Sequence, residues 1–151
     1  MEVYLASAAG LLSWCGKWRK IPTPLAHPTL LAACGADVAL ADSVNRLLYR
    51  QGRVSTLPPG VEVLRCWRNQ LLTLSSETNC LTLYDAHDYP LVTLPAGIRP
   101  CGCAVVDCQV IVCGCEDGCL HIFSLPDLRE IAVYPVPGCP MRVAADGGVL
   151  T

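Results

Sequence analysis

Six cysteines crowd into one short stretch of the chain, as Cys101-x-Cys103, Cys108, Cys113-x-Cys115 and Cys119. On a β-strand a C-x-C pair places both thiols on one face, which is the arrangement soft-metal binding would use. The C-x-x-C spacing of a zinc knuckle is absent. Free cysteine is also among the most buried residue types and packs as a small apolar side chain. Packing is therefore the preferred reading, with no metal and no cofactor expected. Eleven cysteines is a high total, and the amino terminus lacks the basic start of a secretory leader. The expectation is a cytoplasmic protein with free thiols.

A second group could act on a ligand: His27, Glu62, Arg99 and Arg142. The two arginines could hold an anionic group, with His27 or Glu62 as general base or metal ligand. Nearby stand Asp42, Asn45, Glu77, Asn79, Glu116 and Asp117, which read more simply as turn residues chosen for local backbone hydrogen bonds. No nucleophile, base and orienting residue appear in an order that would identify a catalytic triad, so the reading leans away from an enzyme. His87 and His121 have no carboxylate partner fixed by the sequence and read as packed or exposed. Trp14, Trp18 and Trp67 are too dispersed for a stacking platform and read as packing residues.

These residues are far apart along the chain, so only the surrounding elements can gather them. Short apolar or alternating runs of residues recur throughout, separated by Gly, Pro, Asn, Asp or Ser. Strands are predicted to start at Val3, Leu11, Trp18, Thr29, Val38, Arg46, Val54, Glu62, Gln70, Cys80, Leu91, Cys101, Gln109, Cys119, Glu130, Met141 and Gly148. The gaps between them suit hairpins.

The strands form an internal repeat. The run LLTLSSETNCLTLYD at Leu71 to Asp85 returns as VIVCGCEDGCLHIFS at Val110 to Ser124, an offset of 39 residues. A Pro and Gly turn follows each copy, Leu94-Pro95-Ala96-Gly97 in one and Val136-Pro137-Gly138 in the other. A proline-led strand ending in Asp comes next, at Pro100 to Asp107 and at Pro140 to Asp146. In a shorter copy Asp42 to Leu47 aligns with Ser76 to Leu81, and Leu57-Pro58-Pro59-Gly60 supplies the turn. With Pro28, Glu62, Pro100 and Pro140 as equivalent positions, the periods are 34, 38 and 40 residues.

Four strands in a period of about 40 residues is the signature of a β-propeller blade. The expected fold is all-β, about four repeats of four antiparallel strands, possibly part of a larger propeller. The repeats fall approximately at 1–35, 36–68, 69–107 and 108–146 within a single domain, 1–151. The pattern of strand, Ser-x-x-Asn, strand, Asp, strand, Pro-x-Gly, Pro, strand resembles the YVTN-type repeats of bacterial propellers, which include lactonase-like proteins. The resemblance covers Val38 to Thr151 well and Met1 to Gly35 poorly, and the family's tyrosine-rich strand is not reproduced. It implies that the proline-led strand is innermost. The chain would then open on the second strand of one blade and stop inside the second strand of another.

Composition narrows the function. Charged residues are 16% against about 25% in an ordinary domain, which fits sheets buried on both faces. The net charge is −2 and the basic residues are scattered, so no nucleic-acid partner is expected. The uncharged stretch from Val3 to Gly16 is too short to span a bilayer, and no membrane partner is expected. Terminal blades would leave sheet faces open to water, so a protein partner or self-association through those blades is expected, the alternatives being closure into a four-bladed ring or membership of a longer polypeptide. The preferred function is a binding or protein-interaction scaffold. The alternative is a lactonase-like hydrolase using a polar funnel at the propeller axis, which requires His27, Glu62 and Arg99 to share a pocket.

Overall fold

The alternation of apolar and polar residues becomes four antiparallel sheets in the computed structural model, which describes residues 3–7 and 10–145. The first sheet holds β1 (Val3–Ser7), β2 (Gly10–Trp14) and β3 (Trp18–Ile21). The second holds β4 (Leu30–Cys34), β5 (Asp37–Asp42), β6 (Leu47–Arg50) and β7 (Arg53–Thr56). The third holds β8 (Val61–Trp67), β9 (Gln70–Ser75), β10 (Cys80–Tyr84) and β11 (Pro90–Pro95). The fourth holds β12 (Pro100–Val106), β13 (Gln109–Gly114), β14 (Cys119–Ser124) and β15 (Arg129–Pro135). No helix occurs among the described residues, so none is long and apolar enough to cross a membrane.

Within each sheet the strands pair in chain order through hairpins. The proline-led strands sit side by side, β4 against β8 and β8 against β12, so they are the inner strands and the rest of each sheet fans outward. β1 lies beside β4. The first sheet therefore begins with its inner strand, where the repeat pattern had placed a second strand.

Three apolar layers hold the sheets face to face. Leu11, Leu25 and Leu40 join the first sheet to the second. Leu48, Leu57, Leu64 and Leu71 join the second to the third. Leu72, Leu81, Val110 and Phe123 join the third to the fourth. Both faces of an interior sheet are thus removed from water, which accounts for the low charge content. Polar ties reinforce the stack: the Trp67 indole donates to the Asp107 carbonyl at 2.6 Å, and Arg65 Nε to the Cys103 carbonyl at 3.1 Å.

The turns carry the repeat. Gly60 closes one Pro and Gly turn at φ +66°, and a side chain there would meet the Glu77 backbone nitrogen at 2.9 Å, so only glycine fits. Where a strand was expected from Met141, residues 141–145 run irregularly alongside β12. A strand is defined by its ladder, and this segment has no ladder partner among the described residues. The strand expected at Gly148 lies outside the described residues.

The structure also shifts one alignment. β5 ends at Asp42 and β9 at Ser75, so these two are equivalent, one residue away from the pairing of Asp42 with Ser76. The left-handed turn residues confirm it: Arg46, Asn79 and Gly118 stand at φ 57°, 56° and 64°.

Candidate functional site

A cleft of about 290 Å³ opens where the inner strands converge. Glu62 and Arg65 enter it from β8, Cys101 and Cys103 from β12, and Arg142 from the segment after β15. Two of the four sequence-predicted residues, Glu62 and Arg142, therefore share one cleft. The Glu62 carboxylate accepts a hydrogen bond from the Ser76 hydroxyl. Arg65 is tied down by the Cys103 and Leu64 carbonyls. Arg142 lines the cleft and makes no hydrogen bond or ion pair with another described residue.

The other two lie elsewhere. His27 sits in the crossover before β4, where its amide donates to Asp42 Oδ2 at 3.1 Å. Arg99 pairs with Glu116 at 3.2 Å, and both side chains are more than half exposed. The Arg99 amide donates to Asn79 Oδ1 at 2.8 Å. Asp42 and Asp117 are thus turn residues that pin the crossover before their own sheet, and Asn79 is one that pins the crossover after it, as the simpler reading of these positions had it. Asp42 is fully buried, a burden on its charge, but the Asn45 side chain and amide and the His27 amide outweigh that and hold its carboxyl below the usual range. Asp117 behaves alike: burial is outweighed by the Ile98 amide, the His121 ring and the Cys119 amide.

The thiol in the cleft is a poor nucleophile. Burial pushes the Cys101 thiol up, Glu62 repels its thiolate further, and Arg99 offsets only part of this. Its Sγ instead donates to the Pro140 carbonyl at 3.2 Å. The arrangement can hold a polar ligand between a carboxylate and a guanidinium, and it contains no activated attacking group.

Three features escape a reading of the sequence. His121 bridges two carboxylates, with Nε2 3.0 Å from Asp117 and Nδ1 2.8 Å from Glu130. Both ring nitrogens are engaged, so the ring is a clamp with no nitrogen left to activate a nucleophile. Arg50, only 1% exposed, pairs with Asp88 at 3.2 Å between the second and third sheets. Finally, Cys34 is disulfide-bonded to Cys66 and Cys115 to Cys139, where free thiols were expected. The first pair joins β4 to β8, which the topology makes neighbours. The second joins the β13–β14 turn to the chain after β15. Among the described residues no three His, Cys, Asp or Glu side chains are grouped to hold a metal ion.

Inner strands around a cleft, with sheets fanned outward and stacked face to face, define a β-propeller. Comparison with solved structures agrees. The chain is similar to apo AztD from Citrobacter koseri, with a TM-score of 0.77 and 15% identity over 98% of this chain and 48% of that one. It is similar to a chain of the mitotic checkpoint complex, with a TM-score of 0.68 and 10% identity over 87% and 46%. It is similar to the Pan2 WD40 domain of Neurospora crassa, with a TM-score of 0.63 and 6% identity over 78% and 41%. These likenesses are of fold, and the chain spans about half the length of the structures it matches or less. No family model and no curated protein matches the sequence, and the YVTN-type resemblance rests on the repeat motif alone.

Proposed function

We propose that this chain is a propeller scaffold that binds protein, and that the outward face of the first sheet receives a sheet of the same kind from a second copy. One observation carries the reading. The register sets Val3 opposite Trp14 and Trp14 opposite Trp18, and Leu5 opposite Leu12, so these five side chains share a face. The other face of that sheet, with Tyr4, Ala6 and Leu11, is the one packed on the second sheet. On the outward face Val3, Leu5 and Trp18 are 40%, 46% and 56% exposed. Lys20, opposite Leu12, lies on the same face, so the surface is apolar with one lysine among its exposed residues, and an exposed apolar patch marks an interaction surface.

The lactonase-like alternative draws less support, since Glu62 is in the cleft while His27 and Arg99 are held in crossover turns. Sedimentation velocity over a range of concentrations tests the scaffold reading. The wild-type chain is expected to self-associate. Trp18→Glu should weaken association by about 2 kcal/mol or more, as loss of a central aromatic anchor does. A wild-type chain that stays monomeric at all concentrations would count against the reading.

A further inference from the structure

We propose that Cys115, Cys139 and Met141 form a binding site for copper(I), available when the Cys115–Cys139 disulfide is reduced. The site adjoins the axial cleft through Cys101 and Arg142 but shares none of its lining residues. Cys115 opens the β13–β14 turn, and Cys139 follows the Pro and Gly turn after β15. Their Cα atoms are 4.9 Å apart. Met141 Sδ lies 3.5 Å from Cys115 Sγ, so three sulfurs converge from three points of the chain.

The backbone holds them there. The Cys115 amide donates to the Arg99 carbonyl at 3.2 Å, and the Val136 amide to the Gly118 carbonyl at 2.9 Å, which fastens the chain after β15 to the β13–β14 turn. The Cys101 thiol bonds the Pro140 carbonyl, between Cys139 and Met141. Cys139 is exposed and Met141 is 60% exposed, so a reductant and a metal donor can both reach the site.

Two thiolates and a thioether are soft ligands, and soft ligands select copper(I). The neighbouring hard or borderline donors are engaged: His121 with Asp117 and Glu130, and Glu116 with Arg99. The other disulfide offers no such site, since Cys34 is buried and the pair spans two inner strands. A small dithiol supplies the reduction. It gives two electrons and two protons to the Cys115–Cys139 bond and becomes a disulfide itself, leaving two thiols on the chain. Copper(I) then forms two sulfur–copper bonds as the two thiol protons leave to solvent, and a lone pair of Met141 Sδ makes the third bond.

The test is an anaerobic titration of the reduced, full chain with copper(I) against a chromophoric copper(I) chelator, with X-ray absorption at the copper edge. The first equivalent should bind in an all-sulfur shell, and the oxidised chain should lack it. Cys139→Ser should abolish that equivalent. Met141→Leu, which keeps size and apolarity, should weaken it by at least about tenfold, the scale at which even outer-shell changes weaken a metal site. Wild-type affinity in Met141→Leu, or equal uptake by oxidised and reduced chain, would overturn the proposal. Should Cys139→Ser fail to fold, Met141→Leu decides alone.

Discussion

A single buried carboxylate welds one blade to the crossover before it. Asp42 accepts from the His27 amide, the Asn45 amide at 2.9 Å and the Asn45 side chain at 2.8 Å. Its folded pKa lies below the ordinary 3.8. It therefore contributes stability above that value, lost as pH falls through the folded value. Asp42→Ala strands two amides and should cost about 1–3 kcal/mol in urea melts at pH 7. Asp42→Asn should flatten the acid limb of the stability profile. Two thiols act at the other end of the scale. Burial pushes Cys103 up to about 12 and Cys113 up to about 11, from an ordinary 9.0. A raised thiol stabilises fully below its unfolded value, so that contribution should fade as pH rises from 9 towards 12. Alkylation at pH 8 followed by mass spectrometry should label exposed Cys15 and Cys108 and leave Cys103 and Cys113 unmodified until the chain unfolds.

Among elements, the segment after β15 is held by what β12 lacks. A Cβ on Gly102 would sit 2.9 Å from Arg142 Cα and 3.2 Å from the Met141 carbonyl oxygen. Gly102→Val should push residues 140–145 off β12 at a cost of about 1–3 kcal/mol, the usual cost of overpacking. Hydrogen exchange should then quicken in that segment while β13 and β14 stay protected. Between the second and third sheets, Asp88→Ala would take the carboxylate from the buried Arg50 guanidinium and leave it only the Asn69 carbonyl, with its Nε already unpartnered. A loss of about 3–5 kcal/mol is expected in denaturant melts. The strands themselves were legible: the first fifteen expected starts, Val3 to Glu130, fall within one residue of those observed. Strict alternation and Gly, Pro and Asn punctuation set them. The one-residue slip in the second sheet has a physical source. Its left-handed turn position is Arg46, a residue type that does not advertise that conformation, whereas Asn79 and Gly118 do.

Over the whole molecule, the sequence foresaw β4, β8 and β12 as inner strands and missed β1, and Glu62 and Arg142 share one cleft. His27 and Arg99 lie in the crossovers because their backbone amides, which carry no side-chain signature, are fixed there. The His121 clamp, the Arg50–Asp88 pair and the two disulfides join positions whose separation obeys no local pattern, and eleven cysteines allow too many pairings to choose among. The first sheet's outward apolar face, with Val3, Leu5 and Trp18 exposed, is the feature on which the proposed scaffold role rests. Small-angle X-ray scattering at a concentration where the chain self-associates tests this most directly. A particle of twice the chain's mass is the result predicted. An open arc of four sheets with the mass of one chain would contradict it.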